Sequence, residues 1–166
     1  MQGDQIFVLD ATVLIDICHG GVERETISML ERTLSPDLVC GEIEDTSMED
    51  LVALGLVKRE LFGEGIQRLQ LAVQAYPGLT NKDVSALLLS VEEHAVLLTG
   101  DCLLKNYAIA EQVEVHGVLW VLDQLVMMRF IDRLTAADAL VAIIENGSWL
   151  PVVECTTRLK KWRSGS

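Results

Sequence analysis

The chain has 166 residues, half of them hydrophobic, with 25 acidic side chains against 13 basic ones and a net charge of −12 at pH 7. That length suits one domain with a core that buries roughly two thirds of the surface an unfolded chain exposes. Its apolar runs, such as Ala86–Leu89 and Ala95–Leu98, fall far short of the roughly 20 residues that cross a bilayer, and the acidic balance argues against a broad electrostatic grip on nucleic acid.

The charge is unevenly spread. Arg158, Lys160, Lys161 and Arg163 make a basic tail, so the rest of the chain is more acidic still. The sequence therefore reads as a single domain over 1–150 and a C-terminal extension over 151–166. The start, Met1-Gln2-Gly3-Asp4, has neither the basic opening nor the apolar stretch of an export signal, and the expected location is the cytoplasm, with no membrane partner. Cys18, Cys40, Cys102 and Cys155 are scattered in apolar surroundings without the close pairs of zinc or dithiol sites, and are expected to be buried free thiols.

In chain order, Ile6-Phe7-Val8-Leu9 is a β-prone apolar run ending at Asp10, the pattern of a strand buried on both faces of a parallel sheet. After the turn signal Gly20-Gly21, Val22, Ile27, Leu30 and Leu34 recur at helical spacing until Ser35-Pro36 interrupts them. Leu38-Val39-Cys40 reads as a second short strand running into Gly41 and Glu42, with Glu44 as a rival acid. Acidic and apolar residues interleave from Glu49 to Leu56, and Leu61–Tyr76 returns to helical periodicity before Pro77-Gly78.

Thr80-Asn81-Lys82-Asp83 opens the clearest helix in the manner of a capping box, with Val84, Leu87, Leu88 and Val91 on one face. Ala95–Thr99 is a further buried strand, ending in Gly100-Asp101, and Leu103–Val113 is again helical. Val115–Val118 reads as one more strand. Two helices follow, Leu119–Met128 and Thr135–Ile144, the latter opened by Thr135 with Asp138 at the capping-box position and closed by Asn146-Gly147. Strands separated by helices imply a parallel sheet covered on both sides.

Several chemistries lack their residues. There is no G-x-x-x-x-G-K phosphate loop, Gly63-Glu64-Gly65 lacks the third glycine of a dinucleotide fingerprint, and no serine stands in a G-x-S-x-G elbow. His19, His94 and His116 show no helix-face metal spacing and read as structural or exposed. Asp10-Ala11-Thr12 lacks the second acid of an aspartyl phosphotransferase, since Thr12 stands two residues on.

What remains is a set of acids, because ligands of open α/β sheets bind beyond the carboxyl ends of the strands, where Asp10, Glu42 and Asp101 fall. Two carboxylates about 4 Å apart repel by roughly 4 kcal/mol at an effective dielectric near 20, so they take up a proton or a cation. Mg²⁺ or Mn²⁺ is the natural occupant, with phosphodiester hydrolysis as the chemistry it suits. Read singly, Asp83 and Asp138 are equally helix caps, and Asp10 and Asp101 strand-end turn acids.

In this order the segments resemble a PIN domain, the metal-dependent ribonuclease fold. Val8–Asp16 is similar to the family's opening strand with its Asp, Val39–Ile43 to its step carrying Glu, Leu79–Leu87 to its helix with an early Asp, and Leu97–Asp101 to its last strand end. His116–Leu125 resembles a prokaryotic subgroup. The resemblance spans about 6–144 and implies a three-layer α/β/α sandwich around a parallel sheet of about four to five strands. It implies Asp10, Glu42, Asp83 and Asp101 as catalytic metal ligands, with Thr12 and Thr99 supporting them or positioning water. Lys82 and Lys105 are then candidates to offset phosphate charge. The implied activity is a Mg²⁺- or Mn²⁺-dependent endoribonuclease, with the toxin of a toxin–antitoxin pair as its setting and an antitoxin protein as a partner, while the apolar helical face of Leu119–Met128 makes a homodimer the expected assembly. The alternative is a PIN-like module that binds a protein or RNA without cutting it.

Overall fold

Four consecutive apolar residues, Ile6–Leu9, form strand β1, from which the sheet is built outward. The computed structural model describes residues 3–40, 48–60 and 64–165. β1 pairs in parallel with β2 (Arg32–Pro36) on one side and with β4 (Val96–Leu98) on the other. β3 (Val57–Arg59) extends the sheet beyond β2, and β5 (Val115–His116) extends it beyond β4. The result is an all-parallel five-stranded sheet of order β3-β2-β1-β4-β5.

Successive residues of a strand face opposite sides, and the burial follows that rule. Phe7, Leu9, Val96 and Leu98 enter one core, while Val8, Leu34 and Leu97 enter another. The first core is roofed by α1 (Ala11–His19), α2 (Glu23–Leu30), α8 (Val118–Met127), α9 (Arg133–Glu145) and α10 (Val152–Arg163). The second is covered by α5 (Glu64–Ala75), α6 (Asn81–Glu92) and α7 (Cys102–Ala110). Two short helices, α3 (Asp37–Cys40) and α4 (Met48–Leu54), lie between β2 and β3 in the chain.

Several expectations are corrected here. The helix after Gly20-Gly21 stops at Leu30, because Glu31 turns into a positive-φ conformation (62°), and Arg32–Pro36 then becomes a strand. Leu38-Val39-Cys40 is accordingly helical. Thr135 and Asp138 do not open α9. Its cap is Asp132, whose side chain accepts from Thr135 N at 2.7 Å, and Asp138 is an exposed side chain on the helix. Cys155 is buried as expected, but Cys18 is half-buried and Cys102 exposed.

The basic segment is a helix rather than a loose end. Trp162 is 2% exposed and, with Cys155, enters the first core. Arg158 grips Asp123 on α8 through Nε (3.0 and 3.1 Å) and a terminal guanidinium nitrogen (2.7 Å), a two-pronged arrangement that fixes orientation as well as charge. At the join between α9 and α10, Gly147 adopts φ 94°, a backbone that a side-chain-bearing residue would hold only under strain. Among the described residues, no helix is long and apolar enough to cross a membrane.

Candidate active site

The strand order creates a crevice where the chain reverses direction across the sheet. β1 leads to α1 on one face and β4 leads to α7 on the other, so the crevice opens beyond the adjacent carboxyl ends of β1 and β4. Backbone pairing continues just past both strands, with Asp10 N donating to Leu98 O (3.0 Å) and Thr99 N donating to His116 O (3.0 Å). Asp10 and Thr99 are thereby fixed side by side.

The Asp10 side chain is 3% exposed. One oxygen accepts from Ala11 N at 2.6 Å and caps α1, and the other accepts from Thr99 Oγ1 (2.6 Å) and Thr12 Oγ1 (3.1 Å). Both threonines bridge onward: Thr12 Oγ1 accepts from Gly100 N (2.7 Å), and Thr99 Oγ1 accepts from Asp101 N (3.1 Å). These bonds tie residues about 90 positions apart into one small net.

Asp101 caps α7, its Oδ1 accepting from Leu104 N at 2.8 Å. Asp83 completes the capping box of α6, accepting from Thr80 N and Thr80 Oγ1, both at 2.9 Å. All three aspartates thus sit at helix N-termini, where the partial positive charge of the backbone favours a carboxylate. Capping and ligand duty use different lone pairs of a carboxylate, so the one role leaves room for the other.

Burial pushes the Asp10 carboxyl above its ordinary range; the bonds from Thr99, Ala11 and Thr12 pull it down, and the negative charge of Asp83 pushes it up again. Asp10 and Asp83 are therefore close enough to repel, which a cation between them would relieve. The donors are all oxygen, which suits a hard ion such as Mg²⁺ or Mn²⁺. Among the described residues, however, no group of three or more His, Cys, Asp and Glu is gathered as a metal-holding cluster. The charge of Asp83 acts on Asp10, whereas Asp101 is tied to Asp10 by way of its backbone N–H, which donates to Thr99 Oγ1. Glu42 and its rival Glu44 lie outside the described residues. Lys82 is half-buried and has an interaction of its own, whereas Lys105 is exposed and lines the same groove as Asp101.

One buried acid escaped the sequence analysis. Asp16 on α1 is 7% exposed, accepts from Ser148 Oγ at 3.1 Å and is pushed up to about 6, chiefly by burial. Only the folded position of Ser148 reveals it, because 132 residues separate the pair. A raised acid binds its proton more tightly in the fold than in the unfolded chain, so its stabilisation is complete below pH 4 and is lost as pH rises through about 6. Asp16→Asn keeps an acceptor for Ser148 and removes this dependence. Its melting temperature should match the wild type near pH 4 and exceed it by roughly 3 °C above pH 7, about 1 kcal/mol after allowance for partial access to water. Parallel melting curves at the two pH values provide the check.

Residues 6–164 match the family described as a PIN domain. A solved structure similar to the chain is a PilT N-terminus domain protein from the hyperthermophilic archaeon Sulfolobus solfataricus P2. It shares 13% identity over 70% of this chain and 90% of that one, with a TM-score of 0.47. No curated protein shows significant similarity.

Proposed function

The chain belongs to the PIN domain family, whose members are generally nucleases that use divalent metal ions, and from that premise we propose that it is an endoribonuclease dependent on Mg²⁺ or Mn²⁺. The observation that carries this reading is the buried Asp10 carboxylate, repelled by Asp83 and oriented by Thr12 and Thr99 at the crevice of the sheet.

Asp10, Asp83 and Asp101, with Glu42, would hold the ion. When bound, it supplies Lewis acidity, lowering the pKa of a water molecule and offsetting charge on the phosphate. Thr99 and Thr12 donate to Asp10 and so keep its carboxylate in one rotamer. Thr99 also receives Asp101 N, which couples the position of α7 to that of Asp10. Lys105, exposed in the groove that Asp101 also lines, would meet a substrate phosphate, and Lys82 stands beside Asp83 in the chain.

The proposed substrate is RNA, met in the cytoplasm. A toxin–antitoxin setting would have a protein inhibitor cover the crevice. The exposed Met127, Phe130 and Leu134, where α8 turns into α9, support self-association as a homodimer. The net charge of −12 favours a second reading, a module that binds a partner without cutting. The two separate in one experiment: single-stranded RNA incubated with the protein and Mn²⁺, with chelator as control. The nuclease reading expects cleavage that chelator stops and Mn²⁺ binding that raises the melting temperature through ligand linkage. Intact RNA and an unmoved melting curve would leave only the module.

A further inference from the structure

A nuclease of net charge −12 needs a source of substrate affinity other than counterion release. The segment joining α9 to α10 offers one. Trp149 is 98% exposed, yet the chain on either side of it is fastened. Ser148 Oγ donates to Asp16 Oδ2 (3.1 Å), Ser148 N donates to Ile143 O (3.3 Å), and Leu150 packs against the first core. The backbone that carries the indole is thus anchored, so its two side-chain torsions are what remains to be ordered on binding.

Its position ties it to the crevice. Trp149 borders a groove of about 350 Å³ that it shares with Asp101, Lys105, His116, Trp120 and Arg158. On its other side it borders a second cleft that includes Thr12 and Gly100. In the first groove His116 stacks on Trp120, with ring centroids 4.3 Å apart and planes 11° from parallel. The acids Asp101 and Glu154 stand there with Lys105 and Arg158, the guanidinium of Arg158 being held by Asp123 of α8. Lys105 makes no ion pair among the described residues. Beside the exposed Val152 and Val153, the indole stands near Asp101, Lys105, Glu154 and Arg158, next to the candidate active site.

We propose that this groove seats one nucleotide of a single-stranded RNA, with its base stacked on Trp149 and its phosphate directed toward Lys105. The assignment rests on the ribonuclease reading and deepens it. Stacking tolerates any base, because every base has a π-face, and it works without net positive charge. Bases of a duplex have no free face to offer, so the groove selects unpaired RNA.

The test uses the full chain and a short labelled single-stranded oligoribonucleotide. Fluorescence anisotropy with Ca²⁺ in place of Mn²⁺ reads binding, and cleavage with Mn²⁺ reads KM against kcat. Trp149→Ala is expected to weaken binding and raise KM about tenfold, more than it lowers kcat, while Trp149→Phe retains most of the affinity. Duplex RNA of the same sequence should bind weakly and respond to neither substitution. Unchanged single-strand binding and KM in Trp149→Ala would overturn the assignment, as would an equal loss for duplex. It would fall equally if the substitution altered only self-association in sedimentation velocity. A wild type that binds single strands through Trp149 but cuts nothing would uphold the groove and remove the nuclease reading alone.

Discussion

Asp10→Asn is expected to reduce RNA cleavage by about a thousandfold or more while leaving the protein folded. The substitution keeps the shape of the side chain and an acceptor for Ala11 N, which caps α1 at 2.6 Å. It removes the negative charge that makes Asp10 a cation ligand, and several kcal/mol of transition-state stabilisation correspond to about three powers of ten in rate. Metal-free stability is set by two opposing effects: the amide removes a charge that burial and Asp83 disfavour, but its Nδ2 donates where Oδ2 accepts from Thr99 Oγ1 and Thr12 Oγ1, so a loss of about 1–3 kcal/mol is expected without unfolding. Cleavage rates and metal-free melting curves measured together separate a lost ligand from a lost fold. Cleavage at the wild-type rate would remove Asp10 from the site.

The second large effect concerns stability. Trp162→Ala should cost about 3–5 kcal/mol and lower the melting temperature by roughly 10 °C, because a side chain only 2% exposed leaves a cavity in the first core. Set against the 5–15 kcal/mol typical of a whole domain, that loss makes α10 part of the folding unit. Removal of residues 151–166 should be more damaging, since it also strips Arg158 from Asp123 and takes both Cys155 and Trp162 out of the first core. A denaturant midpoint that barely moves in Trp162→Ala would show α10 to be a detachable appendage.

The strands that build the site were the most legible in the sequence. Ile6–Leu9 and Val96–Leu98 are apolar without interruption because parallel strands at the centre of a sheet meet helices on both faces. β2 and β3 carry no such signature. β3 is exposed at all three positions, and β2 mixes Arg32, Ser35 and Pro36 with a single leucine, so its burial comes from neighbours that the sequence does not name. α1 went unread for the opposite reason: Ala11–His19 is apolar almost throughout, with β-branched residues that blur helical spacing. At α9 the sequence points to Thr135 as the cap, with Asp138 three residues on. Asp132 prevailed over the Thr135–Asp138 pair by starting the helix at Arg133.

The candidate site divides along similar lines. Asp10 and Asp101 were legible as acids at strand ends, and Asp83 as the partner of Thr80 in a capping box, because each signal is local. The bond from Thr99 Oγ1 to Asp10 spans 89 residues and follows from the pairing of β1 with β4, which no local pattern encodes. Trp149 and the buried Asp16 emerge only when the α9–α10 join is seen folded against α1.

In the proposed nuclease Asp10, Asp83 and Asp101 share one hard cation. Anomalous diffraction from a crystal soaked in Mn²⁺ tests it most directly. The expected result is a peak about 2.1 Å from oxygens of Asp10 and Asp83, with Asp101 in its coordination sphere directly or through water. A peak elsewhere, or none while Asp10 keeps only its contacts to Thr12, Thr99 and Ala11, would contradict it.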